Sequence, residues 1–420
     1  MNDEPPAART RSRPGPARLA ALTAVGVLLL GGCAERAALA RIDALRNPPI
    51  THVVIDTIRQ PSVPAPAVEP LEDTSALRPP GMPPPLRTAG NRLVGPDGQP
   101  VRLRGVNIAS LEWTDEGENV LHSLGVAINQ WRCNVVRVPL SQDRWFGRSP
   151  TQTDDGARYR SAVDSMVVGA ARRGAYILLD LHWSDAGVWG KYIGQHQMPD
   201  TGSLLFWQDL ARRYANHPAV LMGLYNEPHD VPWDVWLNGG VLEEKVPSAE
   251  PHDPSQPIKR VRTSVRYRAV GHQELYDAVR AAGATDNLIF IGGLDWAYDL
   301  APVLRGYAVQ GDNVVYDTHV YPGKDWKPEF SWENAFLAPS RQVPVLVGEW
   351  GANVGGPGPP GRGDPAQFLA AMVELLRKND HLSWTAWDFH PAAGPTLIRN
   401  WDYEPTEFGR IVMDELERPD

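Results

Sequence analysis

The sequence predicts an α/β fold, a (β/α)8 barrel of the TIM type, and three observations predict it. From Val101 onward, short apolar runs alternate with stretches whose apolar residues recur three and four apart. The runs are nearly continuous in Val, Ile and Leu, the pattern of parallel strands covered on both faces. Eight such units follow one another, a number that closes a barrel instead of leaving an open sheet. Of 420 residues, 42% are hydrophobic and 22% charged, which leaves ample apolar mass for one core.

Taken in order, the chain begins unlike the rest. Arg9, Arg11, Arg13 and Arg18 precede an apolar run from Leu19 to Leu30, which meets Gly31-Gly32-Cys33. A basic start, a short apolar stretch and small residues before a cysteine read as an export signal, too short to span a bilayer as a full membrane helix. The cysteine after two glycines resembles a bacterial lipobox, with Cys33 as the lipidated residue; an ordinary signal peptide or an uncleaved anchor is the alternative. Residues 1–32 are thus expected to be a signal peptide. Residues 33–86 are rich in proline and alanine, lack tryptophan and read as a linker: 34–60 is open between a helix at Ala34–Leu45 and extended chain at Ile50–Ile58, and the repeated prolines of 61–86 are expected to form an extended stalk. The catalytic domain is expected to occupy 87–420, and all 15 tryptophans lie between Trp113 and Trp401. The expected location is therefore outside the cytoplasm, on the cell surface through a lipid or secreted, as a monomer.

Before the first strand, Gly95-Pro96-Asp97-Gly98 is a strong turn sequence between Asn91-Val94 and Pro100-Leu103, and predicts a hairpin closing the bottom of the barrel. The strands are expected at Leu103-Ile108, Asn134-Pro139, Tyr176-His182, Val220-Asn226, Leu288-Gly293, Val314-His319, Val345-Glu349 and Ser383-Asp388. Helical periodicity fills intervals such as Ser161-Arg173, Leu204-Tyr214, Gln273-Ala282 and Pro365-Lys378. The segment 231–267 is a long loop after the fourth strand, with Trp233 and Trp236, and is expected to shape a groove on the rim where barrel active sites form.

Net charge is -9 and no basic patch marks the tryptophan-rich part, so nucleic acid is not an expected partner. The second cysteine, Cys133, opens an apolar strand and reads as a small buried hydrophobe. No His-Glu-x-x-His or clustered Cys/His spacing points to a metal, and Gly355-Gly361 lacks the Gly-Lys-Ser/Thr of a phosphate loop. No cofactor is expected. An acidic, tryptophan-rich surface suits a neutral ligand bearing hydroxyls.

The strand ends carry the chemistry. Asn107, Arg137, His182, Asn226 with Glu227, His319 with Tyr321, Glu349, and Trp387 with Asp388 all fall at or near a strand end. On a barrel these positions converge on one rim, where Val, Ile and Leu would otherwise be expected. A carboxylate at the mouth of an apolar strand is costly to desolvate without a purpose. Two of them, Glu227 and Glu349, are what hydrolysis of a sugar linkage requires.

The constellation resembles glycoside hydrolase family 5, the cellulase family of retaining (β/α)8 glycosidases, over about Arg87 to Glu415. The resemblance rests on Arg104-Gly105-Val106-Asn107, Val136-Arg137-Val138-Pro139, Leu179-Asp180-Leu181-His182-Trp183, Tyr225-Asn226-Glu227-Pro228, Thr318-His319-Val320-Tyr321, Gly348-Glu349-Trp350 and Trp387-Asp388-Phe389. It implies Glu227 as acid/base, its pKa raised by the Glu349 anion, and Glu349 as nucleophile. It implies Arg137 and Tyr321 beside that nucleophile, Asn226 on the sugar 2-hydroxyl, and His182 and His319 as orienting groups. Substrate contacts are expected from Asn107, Trp183, Trp233, Trp296, Trp350 and Trp387, the last as a platform under the reacting ring. The implied activity is an endo-β-1,4-glucanase on a polysaccharide or oligosaccharide, with a β-mannanase or an exo-acting enzyme of the same fold as alternatives. Two readings of other classes stand beside it. One is a metal-dependent barrel using Asp180, His182, Glu227 and His319, and the other a surface lipoprotein that binds glycan without cleaving it.

Overall fold

The computed structural model describes residues 74–184, 194–247, 262–325, 327–354 and 363–419. The signal and stalk readings for 1–73, Cys33 included, and the glycine-rich stretch 355–361 lie outside them. Eight parallel strands close the barrel in chain order: β1 (Arg104–Asn107), β2 (Val135–Ser141), β3 (Tyr176–Trp183), β4 (Val220–Gly223), β5 (Ile289–Gly292), β6 (Val314–Val320), β7 (Val345–Trp350) and β8 (Ser383–Ala386). Each expected strand is present, with ends shifted by a few residues. The fourth stops at Gly223, yet its extended pairing continues through Leu224 N–H to the Phe290 carbonyl (2.9 Å) and Asn226 N–H to the Leu181 carbonyl (3.0 Å).

Two of the helices join amphipathic periodicity to good caps. Thr201–Arg213 starts on a capping box, in which the Asp200 carboxylate accepts from Ser203 N–H and the Ser203 hydroxyl returns the bond. Pro365–Lys378 starts on Asp364, with proline at its first position, where no N–H is needed.

Side chains alternate across each strand, so one set faces the barrel interior and the other the helices. The lower interior is apolar: Leu103, Val135, Leu178, Leu221, Phe290, Val315 and Leu346 form a cluster separate from the main core. Leu86 and Leu93 join it from below and plug the barrel. Two residues further up the same faces, the interior turns polar, at Arg137, Asp180 and Asp317. That change of chemistry places the site at the C-terminal end.

Three sequence expectations need correction. The bottom hairpin pairs Arg87–Ala89 with Arg92–Val94, while the Gly95-Gly98 turn leads only to a single bridge from Val94 to Pro100. The folded domain also begins before Arg87. Leu77 is buried, Arg78 donates to the Ala215 carbonyl (2.6 Å) and Tyr176 donates to the Pro84 carbonyl (2.8 Å), so 74–86 is strapped to the barrel despite its prolines. Finally, 231–267 is not a plain loop. It holds a helix, Trp233–Asn238, and the two strands of an antiparallel ribbon, Gly240–Pro247 with Arg262–Ala269; the expectation for 248–261 lies outside the described residues.

Candidate active site

Glu349 owes its position to a bulge. Across β6 and β7, Thr318 pairs with Val347 and His319 with Glu349, leaving Gly348 as the extra residue. Without it, strict alternation from the inward Leu346 would aim Glu349 at the helices. Only glycine fits there: a Cβ would lie 2.3 Å from an Asp317 carboxylate oxygen, which accepts from Gly348 N–H (2.8 Å). Glu349 therefore enters the barrel mouth, 4% exposed.

Two donors hold its carboxylate. Arg137 Nη1 donates to Oε1 and the Tyr321 hydroxyl donates to Oε2, both at 2.8 Å. Arg137 is fully buried and also donates to Asn107 Oδ1 (2.9 Å) and Asn226 Oδ1 (2.6 Å), and pairs with Asp180 at 3.0 Å. A guanidinium so enclosed is tolerable because both of its Nη groups meet acceptors, two of them carboxylates, although Nε has no hydrogen-bond partner among the described residues. Burial alone would lower its pKa; Asp180 and Glu349 more than reverse this and fix it as a cation. Burial likewise pushes the Tyr321 phenol up, as does Glu349, so it remains a donor.

Glu227 faces this group from the end of β4. Its side chain is 22% exposed, and Oε1 lies 2.9 Å from His319 Nδ1. The same nitrogen is 3.5 Å from Glu349 Oε2. One oxygen of Glu227, one of Glu349 and a ring nitrogen of His319 all lie within 4.8 Å of one another. Burial would depress the His319 pKa, but Glu349, Asp317 and Glu227 outweigh it and raise it to about 10. That imidazolium decides the state of Glu227. Burial pushes the Glu227 carboxyl up, but the His319 hydrogen bond and charge, aided by His182 and Lys324, bring it below its ordinary value. The direction is opposite to that expected from Glu349 repulsion alone, because the His319 imidazolium lies 2.9 Å from Glu227 and 3.5 Å from Glu349 and its attraction outweighs that repulsion.

His182 Nδ1 meets Asp180 Oδ2 at 3.0 Å, and its Nε2 lies 3.3 Å from Asn226 Nδ2. The ring stacks on half-buried Trp387, centroids 5.4 Å apart and planes 13° off parallel. Trp183 is half-exposed on the rim with Trp113 at 6.4 Å. Trp296 is 38% exposed, on a run of three left-handed residues with φ of 58°, 56° and 57° at Asp295, Trp296 and Ala297. Its N–H donates to the Pro228 carbonyl (3.1 Å), which sets it next to Glu227, and its ring stacks on His229 at 4.6 Å.

Asn107 and Trp350 do not meet the expectation of substrate contact. Asn107 is fully buried: its amide nitrogen donates to the Gly348 and Ala386 carbonyls (2.9 and 3.2 Å), and its oxygen is taken by Arg137. Trp350 is also fully buried, against Trp384 (5.7 Å) and Phe408 (5.3 Å). Neighbours on a strand point to opposite faces, so an inward Glu349 forces Trp350 outward into the helix layer. Trp233 packs on Trp236 (4.7 Å) and Tyr307 (5.8 Å) at the edge of the core.

Sequence reasoning missed Asp317 as a site residue and named Asp180 only as a candidate metal ligand, although each shares strand parity with a histidine two residues on. It also missed Gln195 and Lys324, which sit on loops without periodicity, and Glu112, which is buried and whose carboxyl burial pushes up to about 7. The ligand set of the metal reading spends its atoms internally: Asp180 pairs with Arg137 and His182, both His182 nitrogens are engaged, and His319 carries a proton toward Glu227.

A (β/α)8 barrel with two carboxylates this close on its C-terminal rim has the architecture of a glycoside hydrolase. The chain belongs to the cellulase family, glycosyl hydrolase family 5, whose model matches residues 94–393. Among its relatives, Endoglucanase MaCel5A of Microbulbifer sp. (strain ALW1) is 24% identical over 316 residues, 72% of this chain and 51% of that protein. The chain thus spans about half the length of that relative. An endoglucanase of Paenibacillus polymyxa is 26% identical over 381 residues, 79% of this chain and 86% of that one. In fold, the chain resembles the β-glucanase SdGluc5_26A of Saccharophagus degradans, with a TM-score of 0.60 and 23% identity over 82% of this chain and 95% of that one; that protein has also been crystallised with cellotetraose.

Proposed function

We propose that this protein is a retaining endo-β-1,4-glucanase, with Glu349 as nucleophile and Glu227 as acid/base. The observation that carries the reading is the separation of the two carboxylates, within 4.8 Å between one oxygen of each. Retaining enzymes place their carboxyl groups about 5–5.5 Å apart, whereas inverting enzymes leave about 6.5–9.5 Å for a water. Arg137 and Tyr321 neutralise and aim Glu349 for direct attack on the anomeric carbon. The proton for the leaving oxygen starts on His319 and crosses its 2.9 Å bond to Glu227 as the sugar excludes water from the pair. After the glycosyl-enzyme forms, Glu227 returns to base and activates water. Trp387 lies under the reacting ring, Trp183 and Trp113 extend one arm of the groove, and Trp296, beside Glu227, serves the leaving sugar. The Microbulbifer and Paenibacillus relatives are endoglucanases, which supports glucan as substrate. NMR of cello-oligosaccharide hydrolysis should show the β-anomer as first product, and an α-anomer would overturn the mechanism.

We also propose that Cys33 is lipidated after removal of 1–32 and tethers the domain to a membrane. Expressed in a bacterium, the protein should fractionate with membranes, and Cys33→Ser should release it or leave it unprocessed. Equal partitioning of both forms, with intact N-termini, would refute the anchor.

A further inference from the structure

The end of the barrel opposite the catalytic rim carries charge that the chemistry does not use. It is built from the strap and hairpin before β1 and from the links that bring each helix back to the next strand. Under β1 to β4 these segments are 74–104, 129–135, 172–176 and 212–220, and they hold ten arginines and a single acid, Asp97. Neighbouring strands lie about 5 Å apart, so the links of these four adjacent strands sit side by side. The strap crosses beneath them. Arg78 donates to the Ala215 carbonyl (2.6 Å), His217 Nε2 meets the Leu77 carbonyl at 2.8 Å, and a Cβ on Gly81 would lie 3.5 Å from the Arg172 carbonyl. The arginines come from separate segments, which is why no basic run marks them along the chain.

Ordinary structural needs account for part of this charge. Arg172, Arg212 and Arg213 end helices, where a cation complements the helix dipole. Arg87, Arg92, Arg102, Arg104 and Arg132 end no helix. Under β5 to β8 the same face is mixed: the matching links 280–288, 304–313, 341–344 and 377–382 hold Asp286, Asp312 and Asp380 among their cations. There Arg341, Arg377 and Lys378 are each in an ion pair. Under β1 to β4, by contrast, Arg87, Arg132, Arg172 and Arg212 are exposed and form no ion pair among the described residues. The chain as a whole carries -9, so this half-face stands out against an acidic protein.

We propose that this arginine-rich half-face docks on a bilayer of anionic phospholipids, with its guanidinium groups among the phosphates and the catalytic rim turned away toward the substrate. Charge complementarity selects the headgroups: each cation held near an anionic surface adds to the attraction, within a Debye length of about 8–10 Å. The strap is also where the proposed anchor joins the domain, which favours a bilayer over a nucleic acid as the polyanion. The contact is salt-sensitive, and it orients the domain instead of holding it. It does not require a lipid on Cys33, which membrane fractionation tests separately.

The test follows amide hydrogen exchange in the full-length protein on vesicles of phosphatidylcholine and phosphatidylglycerol, about 3:1, and on vesicles of phosphatidylcholine alone. The residues before 74 are common to every form compared, so differences between forms belong to the face. On the anionic vesicles, amides in 129–134 and 172–175 should exchange about tenfold more slowly than on the neutral ones, and about 1 M salt should abolish the difference. The combined variant Arg87→Gln, Arg132→Gln, Arg172→Gln and Arg212→Gln should lose this protection with its thermal midpoint unchanged. A second variant removes the same charge from the rim side, by Arg148→Gln, Arg158→Gln, Arg268→Gln and Arg399→Gln, and should keep the protection. Protection of the rim loops instead, equal exchange on the two vesicles, or protection that survives in the first variant would overturn the proposal. Protection by a single-stranded oligonucleotide but not by anionic vesicles would overturn it as well, and make this a nucleic-acid surface.

Discussion

Glu349→Ala should be nearly inactive on every glycoside, with kcat reduced by a factor on the order of 10⁴ or more. The loss follows from geometry. Glu349 is 4% exposed, and the donors that aim it, Arg137 and Tyr321, do not themselves attack carbon. The substitution deletes the proposed nucleophile but leaves those two donors converging on the vacated space, a ready cradle for a small anion. Azide should therefore restore turnover of an aryl β-glycoside with a good leaving group. It attacks C1 from the face Glu349 used and no second displacement follows, so the product is the α-glycosyl azide. NMR of that product is the check. A variant that keeps wild-type turnover, or an azide adduct of β configuration, would remove Glu349 from the role. Because Arg137 is buried and loses one of its anionic partners, a lower thermal midpoint is also expected, and activity should be read below it.

The barrel was legible because its signal is collective. Each apolar run is short and ambiguous, but eight in alternation with helical stretches leave one closed topology, and apolar spacing marks the helix at Pro365–Lys378 with both its ends. The strand-end polar residues were legible for the same reason: the C-terminal rim is fixed by topology. Side-chain direction was less so. Trp350 follows Glu349 in sequence and was drawn into the same site, but which of two neighbours faces the interior depends on the Gly348 bulge, which strict period-two counting does not contain. Asn107 lies on the inner face as expected, one level too deep to meet a ligand, where the Gly348 and Ala386 carbonyls consume it.

Charge states were legible least. Two glutamates on facing strands suggest repulsion and a raised acid. The sequence does not show that His319 stands within hydrogen-bonding reach of both, nor that Asp317 below it helps to keep it protonated. Gln195 was invisible for a related reason. Its segment is held by Tyr225 at the end of β4 and by Glu244 and Tyr267, distant in sequence on a ribbon without strong apolar periodicity.

Glu227→Ala should behave differently in kind from Glu349→Ala. It removes the group proposed to pass a proton to the leaving oxygen, while Glu349 keeps Arg137 and Tyr321 for its proposed attack. Natural glucan has a poor leaving group, so its hydrolysis should fall by roughly 10²–10⁴. An aryl glycoside whose leaving group departs as a stable anion should lose far less in the first step, and the slow step should become hydrolysis of the glycosyl-enzyme, since no base remains to activate water. A burst of aryl alcohol followed by slow turnover is the expected trace, and azide should speed the second phase to give a β-glycosyl azide. The pH profile supplies a second test. In the wild type, the active form holds one proton in the Glu227–His319 pair, with His319 raised to about 10 and Glu227 lowered. Raising pH strips that proton and the rate on glucan should fall; this alkaline limb belongs to the pair and not to either residue alone. With Glu227 gone, His319 has lost the route that carried its proton to the substrate, so the first step on the good aryl glycoside should show no alkaline limb. A limb unchanged from wild type, or equal losses on glucan and on the aryl glycoside, would assign the proton donor elsewhere.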